Sequence, residues 1–374
     1  MSSFNFTTFM DYIHSENTSS RLKFAFQRLT FSPDFYFERY ENLFQSDFSL
    51  LRTIGSARIM AKATWTGSRL SIEDITPLAD ANLVIPDFPS SDFLGLNIMA
   101  RIPLLPRFSA DLGGDLQAYS RDRRARRTRF FPGLKLIFRP FSSAAVYGSM
   151  GGSFRHHSMA SLLEENPYAD PMISSTAEEV LWHVDAGGEL QVNPALLLRG
   201  RYRYETVRDE LYWQWSFVAY MKMSLDEVRQ HHFDISFRYQ PGGQAQVEAG
   251  ISFLDYELED RLIPISDASP EIPFRPKSQA WGNVFYAIPG IIDVRSDWKW
   301  VGKRTSFLPT HLYELTDVLK LDPYFLLNVT LEKQIQDHIT LFTSFFNLLD
   351  SKYEVWYDYP EMGLTLHGGV KVIL

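Results

Sequence analysis

The sequence has no cysteine, which excludes disulfide bonds, cysteine-ligated zinc and thiol nucleophiles together. It also has no apolar run of about 18 residues, so an ordinary transmembrane helix is excluded. A basic surplus is missing: the formal net charge of -8 speaks against nucleic acid as the main partner. The stretch from Met1 to Ser20 contains neither Lys nor Arg, carries Asp11 and Glu16, and has no apolar core, so no signal peptide is visible. The expectation is that Met1 lies inside a longer ancestral sequence.

What the 374 residues do contain is aromatic and alternating. Aromatics make up 15%, with 29 Phe and 18 Tyr, an excess that suits a strand-rich chain with aromatic belts. A mean hydropathy of -0.18 is compatible with a membrane barrel, because lipid meets only every second residue of a strand. Ala57, Ile59, Ala61, Ala63 and Trp65 alternate with Arg58, Lys62, Thr64 and Thr66. Leu196, Leu198, Gly200, Tyr202 and Tyr204 alternate with Arg199, Arg201, Arg203 and Glu205, and Phe233, Ile235, Phe237 and Tyr239 with Asp234, Ser236 and Arg238. Such runs extend over about ten residues, longer than the five or six usual in soluble sheets and long enough for a tilted strand to cross a bilayer.

Connections in the last third alternate between tight and long. Pro241-Gly242-Gly243, Pro289-Gly290 and Lys333 to Asp337 are short, whereas Glu259 to Pro276, Lys303 to Leu321 and Leu348 to Met362 are long. Outer-membrane barrels have short periplasmic turns and longer external loops, which puts the C-terminus on the periplasmic side. Upstream, turns are expected near Arg208-Asp209 and over Leu225 to Gln230. The predicted fold is all-β: an antiparallel transmembrane β-barrel of roughly 14 to 18 strands over residues 1–374.

The tail carries a more specific signal. Asn347-Leu348-Leu349-Asp350-Ser351-Lys352-Tyr353, then Tyr359-Pro360 and Gly363, lead into Leu364, Leu366, Gly368, Val370, Val372 and Leu374 on one strand face. This succession resembles the close of a TonB-dependent outer-membrane receptor barrel, with Leu349 where Phe is usual and Leu374 in place of a terminal aromatic. Ile272 to Lys277, Trp298 to Arg304 and Asp322 to Asn328 resemble further stretches of the same family. The resemblance implies uptake of a scarce ligand such as a siderophore, cobalamin or an oligosaccharide. It also implies a lumen-filling plug domain preceded by a TonB-pairing box, and about twenty-two strands in the whole barrel. Nothing in the sequence resembles plug or box, so TonB is an expected partner only if both are supplied, and the chain reads as the C-terminal part of such a barrel. A partial barrel has two unpaired strand edges that lipid cannot satisfy.

Arg121, Arg123, Arg124, Arg126, Arg127 and Arg129 form a basic cluster between two predicted strands. They read either as phosphate contacts to outer-membrane lipid or lipopolysaccharide, or as a solvated hairpin tip. Arg199, Arg201 and Arg203 would line a lumen, drawing anions inward or pairing with acidic neighbours. Trp213, Trp215, Trp298, Trp300 and Trp356 are expected in an aromatic girdle. His156-His157 and His231-His232 do not suit a metal, since adjacent strand residues face opposite ways. No nucleophile elbow or P-loop is present, and neither an enzyme activity nor a cofactor is expected. Two other readings fit the alternation: a soluble β-sandwich or propeller that binds carbohydrate, and a passive pore or structural barrel.

Overall fold

The computed structural model describes residues 2–31, 39–72, 90–121, 125–169, 176–216, 219–258, 271–311 and 314–372. The alternating runs form β1 (Ser2–Ser15), β2 (Thr18–Phe31), β3 (Arg39–Ile54), β4 (Ala57–Ile72), β5 (Ser91–Leu105), β6 (Phe108–Arg121) and β7 (Ala125–Phe141). There follow β8 (Ala144–His157), the helix α1 (Met159–Glu165), β9 (Thr176–Asn193), β10 (Leu196–Ser216), β11 (Ala219–Gly242) and β12 (Ala245–Leu258). The last part holds β13 (Ser278–Ile288), β14 (Ile292–Val301), β15 (Arg304–His311), β16 (Glu314–Leu321), β17 (Tyr324–Gln336) and β18 (Ile339–Phe346). It ends with β19 (Glu354–Trp356), β20 (Tyr359–Pro360) and β21 (Thr365–Val372).

All but four of these strands join one 17-stranded sheet in which sequence neighbours pair antiparallel; β15 with β16 and β19 with β20 are separate hairpins. Residues 16–17, 55–56, 106–107, 142–143, 194–195, 243–244, 289–291 and 337–338 make the tight turns at one end. α1 and both small hairpins lie at the other, and the end of β21 falls at the tight-turn end. This matches the predicted alternation. Residues 208–209 and 225–230 correct the expected turns, because the β10–β11 ladder runs on from Leu196↔Tyr239 to Ser216↔Ala219. Within that constant register Asp209 takes a φ of 55°, which an Asp tolerates more readily than most side chains.

Register settles which face is which. Phe6, Phe26, Phe44 and Gly67 stack across β1 to β4, and Ala63, Leu96, Leu116 and Phe130 across β4 to β7, all on one face. That face is exposed: Phe6 is 55% and Phe130 65% accessible. Gln45, Thr66, Asp115 and Gln117 belong to the opposite face. A sandwich would bury these apolar faces against each other. Here they point outward around a polar interior, as in a membrane barrel.

An odd number of alternating strands leaves β1 and β21 running in the same direction. Among the described residues β1 pairs only with β2, and β21 only with β18. Over the described residues, β1 and β21 therefore each have a ladder on one side.

Candidate functional site: the polar lumen and its mouth

Strand alternation turns Arg199, Arg201, Arg203 and Glu205 of β10 to the inner face together. Directly opposite Arg203, Asp185 of β9 is buried and accepts from Arg203 Nε at 2.8 Å and from Arg201 Nη2 at 3.0 Å. Arg199 lies 3.3 Å from Glu189 and 3.9 Å from Glu248. Of the two readings of this row, the geometry supports pairing with acidic neighbours.

Nearer the long-loop end the pairing becomes a network. Arg155 Nη2 meets Glu205 Oε2 at 2.6 Å, and Arg155 Nη1 is 3.8 Å from Glu178. His157 Nε2 lies 3.4 Å from Glu178, and His232 Nε2 3.5 Å from Glu205. Glu178 also accepts the Leu211 N–H at 2.9 Å, and Arg275 holds Glu210 at 2.5 Å. These groups surround a cleft of about 500 Å³ whose cations and anions alternate. Such a lining holds water or a dipolar solute and is largely compensated against a simple ion. The sequence flagged the two histidine pairs but not that His157 and His232 each face a carboxylate, because their partners are far away in the chain.

The mouth at the long-loop end is filled. The β7–β8 ladder stops at Leu134↔Met150, while β8 stays on β9 as far as His157↔Thr176. Released from β7, this end of β8 leans on the inner face of β5 and β6: the Phe154 N–H donates to Gln117 Oε1 at 2.6 Å, and His156 Nε2 is 3.1 Å from Ser91 Oγ. It delivers α1 into the lumen, where Met159, Ala160, Leu162 and Leu163 are all buried. They pack with Leu29 of β2, Trp213 and Tyr220 of β10 and β11, and Trp356 of β19. Glu41 of β3 is buried and accepts the Met159 and Ala160 N–H groups at 3.1 and 2.8 Å, with the Ser68 hydroxyl donating to the same carboxylate. Trp213 Nε1 donates to Glu165 at 2.8 Å, Tyr220 Oη to the Tyr357 carbonyl at 2.9 Å, and Arg304 to the Val355 and Glu354 carbonyls at 3.0 and 2.7 Å. Burial draws the Arg304 guanidinium below its ordinary value, with Tyr324 and Glu354 opposing the shift.

The other candidates fall as follows. Arg127 and Arg129 lie within β7, opposite Tyr119 and Gln117, and face inward. Arg127 pairs with Asp209, and Arg129 with buried Glu179 at 3.0 Å. The expected lipid contact is corrected for these two. Arg121 is exposed and pairs in the ladder with Ala125, on the same inner face. Arg126 pairs with Ser120, its side chain being outside the described residues, as are Arg123 and Arg124 altogether. Arg28 and Arg69, which the sequence did not flag, stand on the outer face near the loop ends of β2 and β4. Trp298 and Trp300 are on the outer face at the loop end of β14; Trp298 stacks on Phe325 with centroids 5.9 Å apart. Trp213 and Trp356 leave the expected girdle, because at 2% and 6% exposure their rings face each other inside the mouth. The side chain of Trp215 lies outside the described residues.

The family profile described as TonB dependent receptor-like, beta-barrel, matches residues 2–348. A comparison with curated proteins gave no match. Solved structures match nearly the whole chain. The ferric-catecholate import receptor Fiu from E. coli K12 superposes with a TM-score of 0.70 at 11% identity, covering 99% of this chain and 64% of its own. The FrpB iron transporter from Neisseria meningitidis gives 0.68 at 12%, with coverages of 95% and 60%. FpvA of P. aeruginosa, solved bound to heterologous pyoverdines, gives 0.70 at 12%, with 99% and 56%. The chain thus spans less than two thirds of the length of these relatives.

Proposed function

We propose, from the premise that this chain belongs to the TonB-dependent receptor-like β-barrel family, that it forms the wall and the outer mouth of an uptake route for a scarce ligand. The ligand class includes siderophores, cobalamin and oligosaccharides. The similarity to a ferric-catecholate import receptor and to an iron transporter favours an iron chelate. The observation that carries the reading is the sheet itself, with an apolar face turned outward around a charged, internally compensated lumen. Its place is the outer membrane of a Gram-negative envelope, and energy from TonB reaches it only where a plug and box complete the machine. The filled mouth disfavours the passive pore.

Lipopolysaccharide is proposed as a lipid partner, with Arg28 and Arg69 as its phosphate contacts. Arg28 lies over the Tyr40 ring at 4.2 Å, and Arg69 is braced by Asp92 at 2.9 Å, so both are held on the membrane face.

Separation of envelope fractions tests the location: the chain is expected with the outer membrane, and recovery in the soluble fraction overturns the reading. Growth under iron limitation on one chelate at a time tests the ligand. Expression of the chain together with its plug should extend growth to at least one chelate.

A further inference from the structure

The mouth contacts join three parts of the wall that are distant in sequence. Leu29, Glu41 and Ser68 come from the inner face of β2 to β4, Trp213 and Tyr220 from β10 and β11, and Trp356 from the connection before β21. The apolar part of α1 is fully enclosed, with Met159 and Leu162 at 0% exposure. We propose that α1, with the β19–β20 hairpin against it, is a resident stopper of the lumen, and that Glu41 is the latch that holds it to the wall. Passage through the lumen then requires α1 to leave β3.

Two features make Glu41 the latch. It is a carboxylate on the sheet, so it stays in place when α1 moves, and it is the group through which the β3 wall holds the backbone of α1. Its two oxygens satisfy two of the N–H groups that a helix start leaves without intrahelical partners, and Ser68 orients the carboxylate. The rest of the contact between α1 and the β2 side of the wall is apolar packing around Leu29. The opposite side of α1 is tied through Glu165, which takes Trp213 Nε1 and Lys222 Nζ, the latter at 3.1 Å. The stopper is therefore held at both ends of a short helix, by a carboxylate of the wall at its start and by its own carboxylate at its end. This inference rests on the lumen reading and needs no knowledge of the ligand.

The absence of cysteine makes the test direct, because Ala160→Cys introduces the sole thiol at a small, buried position. The full chain, extracted from outer membranes into detergent, is treated with a bulky poly(ethylene glycol) maleimide, and modification is read by gel shift. Ala160→Cys is expected to react at least about tenfold more slowly than Ser142→Cys in an exposed tight turn. Adding Glu41→Ala should raise the rate at Ala160→Cys about tenfold or more. Glu41→Gln, similar in shape and keeping one acceptor oxygen, should give a smaller rise and serves if the alanine variant does not fold. Heat-dependent gel mobility reports that the sheet is intact in each variant. A thiol at 160 as reactive as the turn thiol overturns the stopper. An unchanged rate in the Gln variant and in a folded Ala variant overturns the latch. Either failure leaves the envelope location untouched, since fractionation decides that separately.

Discussion

Glu41 Oε2 accepts the Ala160 N–H at 2.8 Å, so a residue of the third strand holds the start of a helix 119 positions later in the chain. Around this bond the enclosed mouth behaves as a small core of its own, larger than either of the other two buried apolar clusters among the described residues. Leu162→Ala should therefore destabilise the mouth by about 2–5 kcal/mol, the usual cost of emptying a buried leucine site. The loss should be local. Hydrogen exchange over residues 159–165 is expected to accelerate while the β10–β11 ladder keeps its protection, and equal acceleration of both would contradict a separable mouth.

Tryptophans on opposite faces of one sheet should report different surroundings. In vesicles of brominated lipid, emission from chains whose only tryptophans are Trp298 and Trp300 should be strongly quenched. Chains retaining only Trp213 and Trp356 should be nearly unaffected, since those rings are buried against each other and against Tyr220. Quenching of Trp213 by lipid bromine would mean that β10 presents its other face.

Asp185 serves two arginines at once, so removing its charge takes the carboxylate from Arg201 and leaves Arg203 with Glu205 at 3.7 Å. In a background opened by Glu41→Ala, Asp185→Asn should shift ion selectivity toward anions in planar bilayers, read as a reversal potential under a salt gradient. The cost in stability is expected to be about 1 kcal/mol, at the low end for a lost buried partner, because Arg201 and Arg203 are partly open to lumen water. A cation-directed shift would place these side chains elsewhere.

Gly363 is required by Asp350. The Asp350 carboxylate accepts the Leu364 N–H at 2.8 Å, and a Cβ on residue 363 would collide with the same carboxylate oxygen. Gly363→Ala should lower stability by about 1–3 kcal/mol, the range for overpacking. Combining it with Asp350→Ala should recover part of that loss, because the obstructing group is gone. Strict additivity in the temperature of heat-dependent gel mobility would show that the two positions do not meet.

The one-sided ladders of β1 and β21 also have a measurable consequence. Amides on the other sides of β1 and β21 should exchange faster than those of β10, which is paired on both sides. Uniform protection across the sheet in micelles would show that something covers those edges.

The architecture was legible in the sequence because a strand declares its two faces locally. The alternation of Leu198, Gly200 and Tyr202 with Arg199, Arg201 and Arg203 needs no partner to be read. The tail motif was equally local. Asn347 closes its loop by donating to the Ser351 and Met362 carbonyls at 2.9 and 3.2 Å, and both Asn347 and Asp350 adopt positive φ, which Asn and Asp tolerate. Tertiary structure alone decided where the ends of long strands go. Trp213 and Trp298 both sit in aromatic, alternating surroundings, yet one closes the mouth and the other faces lipid. Trp213 shares the inner face of β10 with Arg203, because the strand runs on through residues 208–209 where a turn was expected, and α1 then gives it something to pack against; Trp298 is on the outer face of β14. In the same way, Arg127 looked like a hairpin tip because its partner, Asp209, is 82 residues away. Periodicity fixes which way a side chain points, but the groups it meets there come from other strands and loops, and only their three-dimensional arrangement brings them together.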